Sequence, residues 1–406
     1  MSNTKIVIRP KILCFVDYYI PGYKGGGPLR TIQNMVSELG NEFDFWIVTR
    51  DRDYLDTGPY TNLLINQWNK VSNSNVYYAS PEIFTFFGVL NLLKSTQHDI
   101  LYLNSFFSWS VTVLPLSLRW LGYYSRHPVI LAPRGELSPG ALSLKRFKKS
   151  LFLVFVRLFG LYENIYWQAS SCLELNDICH EIGLSESSPD IFVAADLLHS
   201  PICEFNELNA FNQIKRPPGA LRLIFLSRIS PKKNLDYLLA LLGNLTESIE
   251  LYIYGPIEDS KYWSLCQDLI NDLPKSMTVF YKGHVPHEQV KETFATCDIF
   301  IFPTLGENFG HVIYEALTAG TAVVLSDQTP WDSEGSSAVK ILPLDRPDKW
   351  IELIRTLSTL DESAYEALRL SAIKYARSYL DSNSALEQNR RLLLAAVGIK
   401  NGINKK

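Results

Sequence analysis

At 406 residues the chain is longer than one hydrophobic core ordinarily serves, so two domains are expected. Hydrophobic residues make up 47 % and charged residues 20 %, which excludes a disordered chain. The balance of 39 basic and 42 acidic residues gives a net charge of −3, which excludes a strongly basic nucleic-acid binder, so no nucleic-acid partner is expected.

The opening segment MSNTKIVIRPKILCFVDYY has no long apolar core followed by a small-residue cleavage site, and reads as the approach to a first strand, Ile12–Val16, rather than a signal peptide. A glycine-rich loop follows, with Gly25, Gly26 and Gly27 ahead of a helix at Leu29–Leu39 whose apolar stripe is Ile32, Met35, Val36 and Leu39. Phe43–Val48, Ile100–Leu103 and Val129–Ala132 are further buried strands between helical stretches. No run reaches about 18 uncharged apolar residues, so no membrane-spanning helix is expected. The nearest candidates, Phe106–Leu118 and Ser150–Leu161, meet Arg119 and Arg157 and read as buried or interfacial helices.

A polar, proline-containing stretch, Asn206–Ala220, has the composition of a linker, and after it the β/α rhythm restarts. Strands are expected at Leu221–Leu226, Glu250–Tyr254, Val279–Tyr281, Ile299–Phe302 and Ala322–Leu325, with helices at Asn234–Leu242 and His311–Ala319 and a helical end over Glu362–Val397. This alternation predicts two Rossmann-like domains: residues 1–215, residues 216–380, and a terminal segment 381–406 expected to pack back on the first. Cys14, Cys172, Cys179, Cys203, Cys266 and Cys297 are scattered without metal-type spacing and read as reduced thiols of a cytosolic protein.

In open parallel sheets ligands sit beyond the carboxyl ends of the strands, so the loops after strands carry the chemistry. After Pro303 comes a glycine-bearing loop with Glu307 and Asn308, then the helix entered through Phe309, Gly310, His311 and Val312. The amides there suit an anionic or hydroxyl-rich ligand. Glu315 lies four residues beyond His311 on the same helix face, and two carboxylates here suit sugar and ribose hydroxyls. After Leu226, Arg228 and Lys233 stand where they can converge on a diphosphate. The glycine loop is not GxGxxG, so the dinucleotide fingerprint is absent.

With these residues in view, the sequence resembles the retaining glycosyltransferases of family 4, which have the GT-B fold. Glu307 and Glu315, within GENFGHVIYEALTAGTAVVLSD, match the family's E-x7-E motif. SRISPKKNL matches its diphosphate-binding segment, GGGPLRTIQNMVSEL its amino-terminal glycine loop, and APRGELSPGALSLKRFKK the acceptor side of the bacterial polysaccharide branch. The resemblance implies two doubly wound domains facing across a cleft. It implies a UDP- or GDP-sugar donor as substrate with no cofactor and no metal, and a growing glycan or lipid-linked oligosaccharide as acceptor. Arg228 and Lys233 would bind the diphosphate and stabilise the leaving group, Glu307 would hold the transferred sugar, and Glu315 the ribose. Gly255, Gly283, His284 and Val285 would line the base pocket. Retention would follow from front-face attack, with the leaving phosphate helping to deprotonate the acceptor.

Some features stand apart from the family pattern. The strand Ile100–Leu103 ends in Asn104 rather than a histidine, and Gln168 stands where relatives often have one, so no catalytic histidine is nominated. His98 reads as a surface residue. Asp51-Arg52-Asp53 has the D-x-D form of metal-dependent transferases but is short enough to arise by chance. Arg134 and Glu136, after the strand Val129–Ala132, are expected to face the cleft near the acceptor, with Asn104, Lys145 and Arg146 as further acceptor-side candidates. The basic cluster Lys145-Arg146-Phe147-Lys148-Lys149 followed by an apolar stretch reads either as a buried helix with a solvated start or as one lying on an anionic membrane surface, at the inner face of the cell membrane. Two other functions compete with transfer: a catalytically silent sugar-nucleotide binder and a GT-B epimerase.

Overall fold

The computed structural model describes residues 9–124, 127–144, 146–198, 220–382 and 384–398. They divide into two units, residues 9–198 with 384–398, and residues 220–382. The expected boundary at 215 and nearly all of the linker lie outside the described residues, as does Lys145.

The amino-terminal unit is built on eight strands: β1 (Lys11–Val16), β2 (Asp44–Arg50), β3 (Trp68–Val71), β4 (Ser74–Ala79), β5 (Ile100–Asn104), β6 (Val129–Ala132), β7 (Tyr166–Ala169) and β8 (Ile191–Val193). Their order is β3-β4-β2-β1-β5-β6-β7-β8, and every pairing is parallel except the hairpin β3–β4. Central β1 is buried on both faces, which is why it reads as an unbroken apolar run. Ile12, Cys14 and Val16 face one core with Ile32, Met35, Val36 and Leu39 of helix Gly27–Leu39. Leu13 and Phe15 face the other, with Val89 and Leu93 of helix Phe86–Ser95 and Leu153 and Val156 of helix Arg146–Phe159.

The second unit holds β9 (Leu221–Leu226), β10 (Ile249–Tyr254), β11 (Met277–Tyr281), β12 (Ile299–Phe302), β13 (Ala322–Ser326) and β14 (Val339–Leu342). All its pairings are parallel, in the order β11-β10-β9-β12-β13-β14. Counted from β9, this is the 3-2-1-4-5-6 order of a doubly wound dinucleotide-type sheet. Strand order reverses between β9 and β12 here, and between β1 and β5 in the first unit. Ligand crevices of such sheets open at these places.

The helical stretch expected over Phe106–Leu118 starts and ends later: a π-helical turn at Trp109–Val113 runs directly into helix Leu114–Trp120, with Pro115, which has no N–H to donate, just after the junction. The carboxyl-terminal helical stretch is two helices, Glu362–Ser382 in the second unit and Ala385–Val397 in the first. The latter buries Leu392 and Leu393 in the core with Ile32 and Tyr102. Asn389 donates to the Ala195 and Ala385 carbonyls at 2.8 Å, and Arg390 bonds Glu42 at 2.7 Å.

Leu392 is fully buried among these side chains. Leu392→Ala should therefore cost about 2–5 kcal/mol. In hydrogen exchange the loss of protection should fall on residues 9–198 and spare 220–382, although the substitution follows both in sequence.

Candidate functional site

The β9 and β12 edges meet through their loops. Beyond β9 the chain makes a 3-10 turn, Pro231–Lys233, and Asn234 takes a left-handed conformation (φ 61°) to enter helix Leu235–Leu242. The Asn234 side chain donates to the Pro303 carbonyl at 2.9 Å. Leu305 N and the Thr304 hydroxyl donate to the Lys232 carbonyl at 2.9 and 3.2 Å. From β13, Ser326 donates to the Thr304 carbonyl at 2.6 Å, and Glu307 N donates to the Gln328 carbonyl at 2.9 Å.

This stitching sets Lys233 Nζ 2.5 Å from Glu307 Oε2, with side chains only 10 % and 17 % exposed. Burial pushes the Glu307 carboxyl up, but the charges of Lys233, Lys232 and Arg228 outweigh it and hold the group below its ordinary range. Arg228 pairs with Glu258 at 3.2 Å.

Phe309 is buried against Trp331 and Tyr379, and its carbonyl accepts from Trp331 Nε1 at 2.6 Å. The peptide before helix His311–Thr318 is fixed by that anchor. Gly310 enters the helix at φ 79°, and a Cβ there would lie 2.9 Å from Glu307 Cγ and 2.7 Å from Ile313 Cδ1. Asn308, His311, Val312 and Glu315 are half-buried around this turn. The first-turn amides of a helix have no carbonyl ahead of them in the helix itself and favour an anion. Glu315 Oε1 is 3.6 Å from His287 Nδ1.

The ends of β9, β10 and β11 are joined as well. Gly255 N donates to the Gly283 carbonyl at 2.7 Å and Tyr281 donates to the Gly255 carbonyl at 3.0 Å. A Cβ on Gly255 would fall 1.8 Å from the Ser227 carbonyl oxygen, so only glycine fits. His284 is exposed and Val285 half-buried beyond β11. Cations, a helix start and carboxylates thus converge around the β9/β12 reversal, an arrangement able to hold a diphosphate beside a hydroxyl-rich group.

In the first unit, Gly25 and Gly26 lie in the loop after β1, and Gly27 begins the helix. Asp53 orders this loop by accepting from Tyr23 N at 2.8 Å and Lys24 N at 3.1 Å, while Asp51 pairs with Arg52 at 2.7 Å. Both carboxylates of the D-x-D segment thus have local partners. Among the described residues, no group of three or more His, Cys, Asp or Glu is placed to hold a metal ion.

Arg134 and Glu136, expected to face the cleft near the acceptor, are held by hydrogen bonds within the first unit. The Arg134 guanidinium donates to Asp196 at 2.7 Å, Tyr102 at 2.7 Å and Asn104 at 2.8 Å. Tyr102 donates in turn to Gln168, which donates to the Ala194 carbonyl at 2.9 Å and to Asn389 at 3.2 Å. The Glu136 carboxylate accepts from Ser105 Oγ, Phe106 N and Phe107 N, and burial raises its pKa despite those donors. Asp196 and Tyr102, which complete this network, carried no signal in the sequence because their roles arise only from strand neighbours. Arg146 is exposed at the start of its helix.

The reading of His98 as a surface residue is overturned: it is buried, with Nδ1 2.6 Å from the Thr96 carbonyl and Nε2 bonded to the Tyr124 hydroxyl. Burial lowers its pKa to about 4, so it is neutral near pH 7.

Residues 206–377 match the family Glycosyl transferases group 1. The chain is 20 % identical over 247 residues to an uncharacterized 41.2 kDa protein in the cps region of Klebsiella pneumoniae, covering 60 % of this chain and 64 % of that one. It is 22 % identical over 302 residues to the serotype-specific mannosyltransferase WbdA of Escherichia coli, covering 71 % of this chain and 36 % of that one. The chain thus spans less than two thirds of the length of either relative. The crystal structure of Anabaena HepE in complex with UDP and glucose superposes with a TM-score of 0.65 at 15 % identity, over 95 % of this chain and all of that one. The architecture is the GT-B fold.

The Glu307 shift has a measurable sign. Its folded pKa lies below the ordinary 4.5, so its contribution to stability is present above that value and is lost as pH falls through the folded pKa. Glu307→Gln should lower stability at neutral pH by about 1.5–3 kcal/mol. The gap to wild type should narrow as pH falls through the lowered folded pKa. Urea midpoints across this range that stay equally separated would contradict the assignment.

Proposed function

We propose that this chain is a retaining glycosyltransferase of family 4, of the bacterial polysaccharide branch. It moves a hexose from a UDP- or GDP-sugar to a growing, lipid-linked glycan during cell-surface polysaccharide biosynthesis, at the cytoplasmic face of the membrane. The observation that carries the reading is the buried Lys233–Glu307 pair at the β9/β12 strand-order reversal, beside Arg228 and the start of helix His311–Thr318. The matched family and the HepE complex with UDP and glucose support it.

In this reading Lys233 and Arg228 take the donor diphosphate, aided by the amides of Phe309 to Val312. Negative charge develops on the diphosphate as the glycosidic bond breaks, and fixed cations there stabilise the transition state without reorganising. Lys233 bonds Glu307 already, so the pair is held in place before the donor arrives. Glu307 accepts from the sugar hydroxyls, Glu315 from the ribose, and Gly255, Gly283, His284 and Val285 frame the base. The acceptor attacks the face the diphosphate leaves, and its proton passes to a departing phosphate oxygen, so no enzyme nucleophile is required. A silent binder would retain the donor contacts but release no nucleotide on addition of acceptor.

Steady-state kinetics with a panel of UDP- and GDP-sugars separate the roles. Glu307→Gln should act mainly on kcat, by about tenfold to a hundredfold, because its contact strengthens as charge develops at the anomeric carbon. Glu315→Gln should act mainly on donor KM, because the ribose is held equally in ground and transition states. Wild-type turnover in Glu307→Gln would remove that residue from the reacting sugar.

The cations of Arg228 and Lys233 supply the positive charge a metal would otherwise bring. Chelator-treated enzyme should keep most of its activity, and complete loss restored only by Mg²⁺ or Mn²⁺ would defeat this part of the reading.

A further inference from the structure

Helix Arg146–Phe159 carries two apolar stripes. One packs inward through Phe152, Leu153 and Val156. The other, Phe147, Leu151, Val154, Phe155 and Leu158, repeats at i, i+4, i+7, i+8 and i+11 on the outer face. It is exposed: Phe147 82 %, Leu151 63 % and Leu158 75 %.

The outer stripe does not end with its helix. The Phe155 ring lies 4.6 Å from that of Phe159, tilted by 40°, and the Phe159 carbonyl accepts from Trp120 Nε1 at 2.9 Å. Trp120, Leu121 and Tyr123 are each about half exposed, and Tyr123 lies against Phe86, next to Phe87 at 74 % exposure. Three segments far apart in sequence thus form one continuous aromatic and aliphatic surface. An exposed apolar surface of this extent marks a contact site.

Charge identifies the occupant. Helices Phe86–Ser95 and Arg146–Phe159 with the segment 114–124 hold Lys94, Arg119, Arg146, Lys148, Lys149 and Arg157, and no Asp or Glu, in a chain whose net charge is −3. Arg157 is partly offset by Glu181 at 3.5 Å, and Lys149 Nζ is bonded to the Ala141 carbonyl at 2.6 Å. Exposed Glu163 lies beside Gly160 at one end of the stripe, so Lys94, Arg119, Arg146 and Lys148 carry the net positive balance. Basic residues rimming an apolar face, with Trp and Tyr at its edge, match the interfacial zone of an anionic bilayer.

We propose that this face inserts shallowly into an anionic lipid surface, with the outer stripe of Arg146–Phe159, Trp120, Tyr123 and Phe87 among the acyl and headgroup boundary and Arg146 and Lys148 at the phosphates. It rests on the proposed function only in that a lipid-linked acceptor would lie in the same surface; the contact itself is independent of donor chemistry.

Co-sedimentation with phosphatidylcholine vesicles, with and without phosphatidylglycerol, tests it. The full chain should bind the phosphatidylglycerol vesicles at low salt and release at high salt. The triple variant Phe147→Ser, Leu151→Ser, Leu158→Ser should bind at least about tenfold more weakly. These side chains point away from the core, so its thermal unfolding should match wild type. Lys148→Glu, which leaves the stripe intact, should weaken binding selectively at low salt. Equal binding by wild type and the triple variant overturns the proposal. So does light scattering that shows a wild-type dimer, a monomeric variant and no vesicle binding by either, since the face would then join two copies. Thermal shifts with UDP- and GDP-sugars are read in parallel: loss of that shift sinks the transferase reading and leaves the vesicle result standing.

Discussion

Reversal of strand order between β9 and β12 is the constraint on which the rest of the second unit depends. Right-handed crossovers that run in opposite directions from two neighbouring strands carry their helices to opposite faces of the sheet. The loops leaving β9 and β12 therefore part at their carboxyl ends, and a crevice opens between them. Everything polar in the site is hung on that parting: Lys233 on one loop, Glu307 on the other, and hydrogen bonds from Thr304, Leu305 and Asn234 drawn across the gap. The amino-terminal sheet repeats the device at β1 and β5, with a glycine loop on one side and Asn104 on the other.

A buried ion pair is a poor source of stability by itself, since removing two charges from water offsets most of their attraction. The Lys233–Glu307 pair has help: Lys232 and Arg228 add to the field on the carboxylate, and the Glu307 loop is fixed by the Ser326 bond to Thr304 and by Glu307 N on the Gln328 carbonyl. Gly310 contributes by what it lacks, since a methyl group there would displace the carboxylate stem. The site is kept for what it can bind, and the surrounding loop bonds carry its cost.

Much of this was legible in the sequence where the signal is local. Strands buried on both faces read as unbroken apolar runs, and Val129–Ala132, Leu221–Leu226 and Ile299–Phe302 have the expected bounds. The residues after β9 and β12 were recognisable because loop chemistry follows the strand directly. What escaped depends on partners distant in sequence. The hairpin β3–β4 has short, half-polar strands with no strong alternation. Arg134 reads as a cation facing the cleft, and its bonds to Asp196, Tyr102 and Asn104 come from segments distant in sequence. His98 looks solvent-facing until Tyr124 covers it. The outer stripe of Arg146–Phe159 is indistinguishable from a core stripe by period alone, since both obey the same spacing.

The return of helix Ala385–Val397 to the amino-terminal unit bears on how the chain is made. Residues 9–198 are made before residues 220–382, yet the core around Ile32 and Tyr102 lacks Leu392 and Leu393 until the whole of 220–382 has also been made. The second unit, whose strands and covering helices are contiguous between 220 and 382, can close while its predecessor still waits. Vectorial synthesis is thereby inverted between the two units: the earlier one is completed after the later one, and for that interval a strip of its apolar interior is open to water or to a chaperone.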